Sequence, residues 1–136
     1  LGLMYQEGNG ILSDYIKAHS WYIKSANQGN INAISNLGLN FFTGFNINDS
    51  QGNLIYQDLK KSIDWLEKGV ELGCSNCAFL LYKVYSTKIK NDGNNSSIYE
   101  PSTAIKYLEL ADEMGDVSAA SQLGYLYLYE NERREI

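Results

Sequence analysis

Small, leucine and aromatic residues recur at fixed spacings along the chain, separated by polar stretches. One pattern places a small residue, a Leu and an aromatic at offsets 0, 4 and 8, as in Ala33, Leu37 and Phe41. These positions share one face of an α-helix, which we name helix A. The leucines that mark its four copies are Leu1, Leu37, Leu81 and Leu123.

A second pattern follows each of the first three copies with constant internal spacing. It places an acid, a small residue, a large aromatic and a Gly at offsets 0, 4, 7 and 15, as in Asp58, Ser62, Trp65 and Gly73. The other copies are Asp14, Ala18, Trp21 and Gly29, and Glu100, Ala104, Tyr107 and Gly115. An initial acid suits the positive end of a helix dipole, and a final Gly suits a helix-ending residue with positive φ. The pattern therefore predicts a second helix, which we name helix B.

The alternation of the two patterns predicts an all-α stack of helix pairs. Small residues let helices A and B approach closely, and Trp21 and Trp65 would cover the seam. One pair cannot bury its apolar face alone, so successive pairs must stack. We predict helices at about 1–7, 14–27, 31–43, 57–72, 75–88, 101–114 and 117–130. We expect a single repeat domain over 1–136, with units at about 1–32, 33–76, 77–118 and 119–136, the first and last partial.

All variation in repeat length falls between the aromatic of helix A and the acid of helix B. The segments at about 44–56 and 87–99 are rich in Asn, Asp, Ser and Gly, which predicts surface loops. Three glycosylation sequons begin there, at Asn48, Asn94 and Asn95. They are weak evidence for a secretory compartment, and cytoplasm, periplasm and endoplasmic-reticulum lumen all stay open.

These motifs resemble the Sel-1-like repeat family, whose members are related to the tetratricopeptide repeats. The stretch from Asp14 to Gly29 carries the family's helix B pattern, including Trp21-Tyr22. The resemblance implies a right-handed α–α superhelix, or solenoid, that acts as a protein-binding adaptor or scaffold, without catalysis and without a cofactor. Tyr82 departs from the pattern, because it stands where helix A has Gly, and we expect it to splay the third pair or to point outward.

By analogy with tetratricopeptide grooves, the A helices line a concave side that would hold a partner protein or peptide. The predicted partner-binding residues are Leu3, Gln6, Ser35, Leu39, Phe42, Thr43, Phe79, Lys83, Ser86, Ser121, Tyr125 and Tyr129. Aromatic and aliphatic side chains dominate this set, which suits an extended peptide or an apolar helix. The alternative for Tyr125 and Tyr129 is packing against a further helix B.

Enzymatic chemistry has little support in the sequence. His19 is the single His, and because no nucleophile or acid partner is identifiable, we interpret it as a solvated or half-buried helix residue. Cys74 and Cys77 form a C-x-x-C motif, but a helical context argues against a thioredoxin-like site, and zinc needs more ligands. We expect Cys77 to be a buried structural thiol. The alternatives to protein binding are a small-molecule-binding or hydrolytic protein and a structural spacer.

The charge distribution restricts the classes of partner. Residues 1–99 hold eight acids and eight bases, whereas residues 100–136 hold eight acids and three bases, so the whole net charge of −5 falls in the last quarter. This balance argues against a nucleic-acid partner and fits either a solubilising face or a surface for a basic partner. No apolar run approaches the roughly 18 residues of a membrane span, so we predict no direct membrane insertion.

Overall fold

A computed structural model describes residues 12–44, 57–87 and 98–134, and these residues form six α-helices with no β-strand among them. The helices are α1 Leu12–Asn27, α2 Ile31–Thr43, α3 Leu59–Glu71, α4 Ser75–Ser86, α5 Pro101–Glu113 and α6 Val117–Arg134. Each helix contacts the next along the chain, and α2 also contacts α4. The predicted all-α stack is confirmed, with α1, α3 and α5 as B helices and α2, α4 and α6 as A helices. The predicted helix at 1–7 lies outside the described residues.

Each turn from helix B to helix A is built in the same way. The B helices end at glycines with φ of 85°, 90° and 93°, namely Gly29, Gly73 and Gly115. The residue after each Gly begins the next helix by accepting a hydrogen bond from the backbone N–H three residues later. These capping residues are Asn30, Cys74 and Asp116, with bond lengths of 3.1, 3.1 and 3.0 Å. Repetition of this turn gives successive pairs the same local geometry.

The connections from helix A to helix B differ in length, but each ends with an equivalent backbone hydrogen bond to the preceding helix A. The backbone N–H of Asp58 donates to the carbonyl of Phe41 at 2.8 Å, and that of Glu100 donates to Tyr85 at 2.9 Å. The Asp58 carboxylate also caps α3, because it accepts from the Lys61 N–H at 3.0 Å. Helix α3 therefore begins at residue 59, two residues later than predicted. The number of residues in these connections can therefore vary without changing how the helices pair.

A close helix–helix contact of the core lies between α2 and α3. Leu66 of α3 packs over Gly38, where an added Cβ would lie 2.2 Å from the Leu66 Cδ2 atom. The buried Ser62 hydroxyl donates to the Gly38 carbonyl at 2.6 Å. The small residues predicted from the two patterns thus set the distance between these helices.

Two core positions differ from the pattern. Cys77 is fully buried as predicted, but it is not a free thiol, because it forms a disulfide with Cys74. The bond is geometrically possible because Cys74 caps α4 and its sulfur faces residue 77, with the two Cα atoms 5.2 Å apart. Tyr82, in the position of Gly38, is half-buried, and its ring lies 5.9 Å from that of Phe79.

Candidate protein-interaction surface

Within the described part of the chain, the predicted partner-binding residues lie at equivalent positions of the three A helices, α2, α4 and α6. Leu39, Lys83 and Tyr125 occupy one such position, and all three are exposed. Phe42 and Phe79 are only half-buried, since each packs one side against the core. Packing against the core holds these two rings in place, and part of each ring stays accessible to solvent. Each of the three described A helices therefore exposes at least one residue of the predicted set.

The face of α4 combines two aromatic rings with one cation. The Lys83 ammonium lies 5.0 Å from the centre of the Phe79 ring, which itself contacts Tyr82. A cation over an aromatic face is favourable and keeps the Lys stem against the ring. The patch can therefore offer an apolar contact and a positive charge to the same ligand.

The face of α6 is the most exposed part of the predicted surface. The Tyr125 and Tyr129 rings are stacked, with centroids 6.3 Å apart, and are 62% and 48% exposed. Leu128 beside them is also exposed. Such rigid aromatic side chains supply much contact area at low entropic cost, which is typical of binding surfaces.

The hydroxyl groups in the predicted set are engaged within their own helices. Ser35 donates to the Asn32 carbonyl at 3.0 Å, and Thr43 donates to the Leu39 carbonyl at 3.0 Å. Ser86 likewise donates to the Lys83 carbonyl at 3.2 Å. These three residues therefore offer a partner mainly shape and acceptor oxygens. Ser121 is exposed on α6, whereas Leu3 and Gln6 lie outside the described residues.

Groups with shifted pKa values lie between helices, where packing explains them. Burial lowers the pKa of His19, and the nearby Lys61 charge lowers it further, while the His19 ring meets the Phe41 ring edge-on at 5.4 Å. Burial also raises the pKa of Tyr107, which stacks on Tyr85 with centroids 5.7 Å apart. The Glu67 charge, and a hydrogen bond from the Tyr107 hydroxyl to Glu67, raise that pKa further. These contacts join neighbouring helices and need no catalytic explanation.

The described residues hold no group of three or more His, Cys, Asp or Glu side chains able to bind a metal ion. None of the described helices is long and apolar enough to cross a membrane. The sequons at Asn48, Asn94 and Asn95 lie outside the described residues.

Sequence reasoning missed one exposed surface, on the far side of α6. Tyr127 matches Phe41 in the helix A pattern, yet Tyr127 is 60% exposed whereas Phe41 is 8% exposed.

Comparison with known proteins agrees with the repeat pattern. A model of the Sel1 repeat matches residues 1–30, 31–74, 97–116 and 117–131. The fold is similar to the crystal structure of a Sel1 repeat protein from Oxalobacter formigenes, with a TM-score of 0.64 and 28% sequence identity. That similarity covers 96% of this chain and 48% of the other, so this chain spans about half the length of that protein. No curated protein matches the chain.

Proposed function

We propose that this chain, which belongs to the Sel1 repeat family, is a non-catalytic adaptor module that binds a protein or peptide along the concave face of its A helices. The family generally mediates protein–protein interactions. The observation that carries the proposal is the repeated exposure of one helix face, at Leu39, Lys83 and Tyr125. Exposed apolar and aromatic side chains in the same register can contact successive residues of one extended ligand.

We also propose that all four repeats act as one domain, with units at about 1–32, 33–76, 77–118 and 119–136. Contacts between every pair of consecutive described helices support this division. A ligand that crosses several A helices would then contact a single rigid surface. Its affinity would be the sum of modest contacts from each repeat.

The test compares two variants of the predicted surface with a matched control. Leu39→Ala and Phe79→Ala each remove an apolar side chain from the predicted concave face, whereas Leu72→Ala removes another exposed Leu, from the turn after α3. Partner capture would be quantified by affinity purification with the wild-type chain and each variant, and helicity by far-ultraviolet circular dichroism.

We expect the two surface variants to lose partners that the wild type and Leu72→Ala both retain, with the helical signal unchanged. Equal capture by all four proteins would show that the ligand binds elsewhere. Turnover of a small molecule, inhibited by an active-site ligand, would instead support the hydrolytic alternative.

A further inference from the structure

The Cys74–Cys77 disulfide lies in a turn that the chain builds twice more without a covalent bond. In each of the three described turns from helix B to helix A, the capping residue accepts a hydrogen bond from the backbone N–H three residues later. The residue that donates this bond is Cys77 here, and Ala33 or Ala119 in the other two turns. The turn therefore forms without a disulfide, and a reduced pair at positions 74 and 77 is compatible with the fold.

The three caps also show which chemical groups this position accepts. The acceptor is the neutral amide oxygen of Asn30 in the first turn and the carboxylate of Asp116 in the third, at 3.1 and 3.0 Å. The Cys74 sulfur accepts the same bond at 3.1 Å. A neutral disulfide sulfur and an anionic thiolate can thus both occupy the cap of α4, and the positive end of the helix dipole favours the anion. Stabilisation of the thiolate that is released favours reduction of the bond.

Helix α3 provides the space for the second sulfur. Gly69 faces Cys77, and a Cβ added at Gly69 would collide with the Cys77 Sγ atom and lie 3.1 Å from its Cβ atom. In the other two turns, Ser25 and Ala111 stand in the place of Gly69, and an Ala stands in the place of Cys77. The additional sulfur of Cys77 is therefore matched by the missing side chain of Gly69.

The two sulfurs differ in their access to solvent. Cys77 is 0% exposed, whereas Cys74 is 4% exposed and directly follows an exposed turn at residues 71–73. Local opening of this turn uncovers Cys74, while Cys77 stays packed against Gly69. An external thiol should therefore react at Cys74, after the turn has opened and without unfolding of the helices.

We propose that Cys74 and Cys77 are a reversible thiol–disulfide pair that exchanges with low-molecular-weight thiols of the glutathione class while the chain stays folded. In the reducing direction, a glutathione thiolate attacks the Cys74 sulfur, the bond between the two cysteines breaks, and Cys77 leaves as a thiolate that takes a proton from water. A second glutathione thiolate attacks the glutathione sulfur of the mixed disulfide, which releases the Cys74 thiolate and one molecule of glutathione disulfide. The pair gains two electrons, and glutathione disulfide drives the same steps backward. The exchange is stoichiometric, so it is separate from the proposed adaptor function and does not make the chain a catalyst.

The first experiment measures the redox equilibrium in the whole chain, which has no Cys other than these two. Protein would be incubated in buffers that vary the ratio of the squared glutathione concentration to the glutathione disulfide concentration. After acid quenching, thiols would be labelled with a maleimide and counted by mass spectrometry of the intact chain. We expect one two-electron transition, with the same curve from the oxidised and the reduced protein. Far-ultraviolet circular dichroism should give the same helical signal at both ends of this transition.

Two single variants identify the sulfur that reacts. Cys77→Ala introduces the residue found at the equivalent positions Ala33 and Ala119, and Cys74→Ser keeps a good capping residue at the start of α4. Glutathione disulfide should convert Cys74 of the first variant to a mixed disulfide at least about tenfold faster than Cys77 of the second. The mass gain of the intact chain measures both rates, since each variant holds a single Cys.

Gly69→Ala tests the space beside Cys77, and Gly124→Ala is its control, because a Cβ added at Gly124 meets nothing within 4 Å. The new methyl group at Gly69 presses on the disulfide, whereas a reduced Cys77 side chain can rotate away from it. We expect the equilibrium constant for oxidation by glutathione disulfide to fall at least about tenfold in Gly69→Ala and to stay unchanged in Gly124→Ala. Leu39→Ala and Phe79→Ala should also leave this constant unchanged, so this proposal and the concave-face proposal can fail separately.

Four outcomes would overturn the proposal. The first is absence of the disulfide at every glutathione ratio, and the second is a disulfide that glutathione reduces only after urea has unfolded the chain, which would make the bond a permanent cross-link. The third is a reduced chain without its helical signal, which would make the bond a requirement for folding. The fourth is a mixed disulfide that forms on Cys77 of Cys74→Ser as fast as on Cys74 of Cys77→Ala.

Discussion

Ala substitutions at Gly38 and Gly124 should have opposite effects on stability, although the two glycines hold the same position in the repeat. In both helices Ala gains about 1 kcal/mol over Gly from helix propensity. At Gly124 nothing opposes this gain, because an added Cβ meets no atom within 4 Å. We therefore expect Gly124→Ala to raise the free energy of unfolding by about 1 kcal/mol.

At Gly38 the new methyl group would collide with a core side chain. It would lie 2.2 Å from Cδ2 and 2.5 Å from Cγ of Leu66, which is fully buried. Overpacking in a filled core costs about 1–3 kcal/mol, and two such short distances place this case at the upper end. After the gain in propensity, Gly38→Ala should lower the free energy of unfolding by about 2 kcal/mol. The two variants should thus differ by about 3 kcal/mol.

Urea unfolding followed by far-ultraviolet circular dichroism measures both values on matched samples. Leu66→Ala provides the internal check. Alone, Leu66→Ala should lower the free energy of unfolding by about 2–5 kcal/mol. The double variant with Gly38→Ala should lose less stability than the sum of the two single variants, because the new methyl group enters the space that Leu66 leaves. Equal effects of Ala at Gly38 and Gly124, or strict additivity with Leu66→Ala, would refute this account of the helix contact.

Two further predictions concern a buried imidazole and a helix cap. Burial holds the pKa of His19 below 6.5, so the unfolded chain binds the proton more readily, and the free energy of unfolding should fall as pH drops below about 6.5. His19→Ile introduces the residue found at the equivalent positions Ile63 and Ile105. It should make the free energy of unfolding, measured by urea titration, less dependent on pH between about pH 7 and 5.5. An unchanged pH dependence would show that other groups cause it. Asp58→Ala should lower the free energy of unfolding by about 1 kcal/mol, since Asp58 caps α3. Glu100→Ala should lower it by less, because the Glu100 carboxylate accepts from the Thr103 hydroxyl and not from a backbone N–H. Equal losses of stability in thermal unfolding would contradict this.

Much of the fold follows from side-chain size at regular positions. The small residues Ala18, Ser62 and Ala104 are all buried, and Gly29, Gly73 and Gly115 all end helices with positive φ. These features depend on contacts within a helix pair or on backbone conformation, so a single sequence carries them. These small residues and glycines were enough to predict the helix order and most helix ends.

Features that conserve a role but not a residue type were harder to predict. The three A-helix caps are an amide in Asn30, a sulfur in Cys74 and a carboxylate in Asp116, all accepting the same backbone hydrogen bond. A search for similar residues cannot align them. The Cys74–Cys77 disulfide escapes prediction for the same reason, because C-x-x-C suggests a redox or zinc motif and not a helix cap facing residue 77.

The candidate binding surfaces show where a repeat pattern stops being informative. Periodicity states which side of a helix a residue is on, but burial depends on whether another helix covers that side. Phe41 and Tyr127 have the same register, yet α3 lies over the first and leaves it 8% exposed, whereas the second is 60% exposed. In the same way, Tyr125 and Leu39 share a register and are both exposed, because no described helix packs on that side of α2 or α6. Exposure at this register thus depends on how neighbouring helices pack and not on residue type, since one position holds a Leu and the other a Tyr.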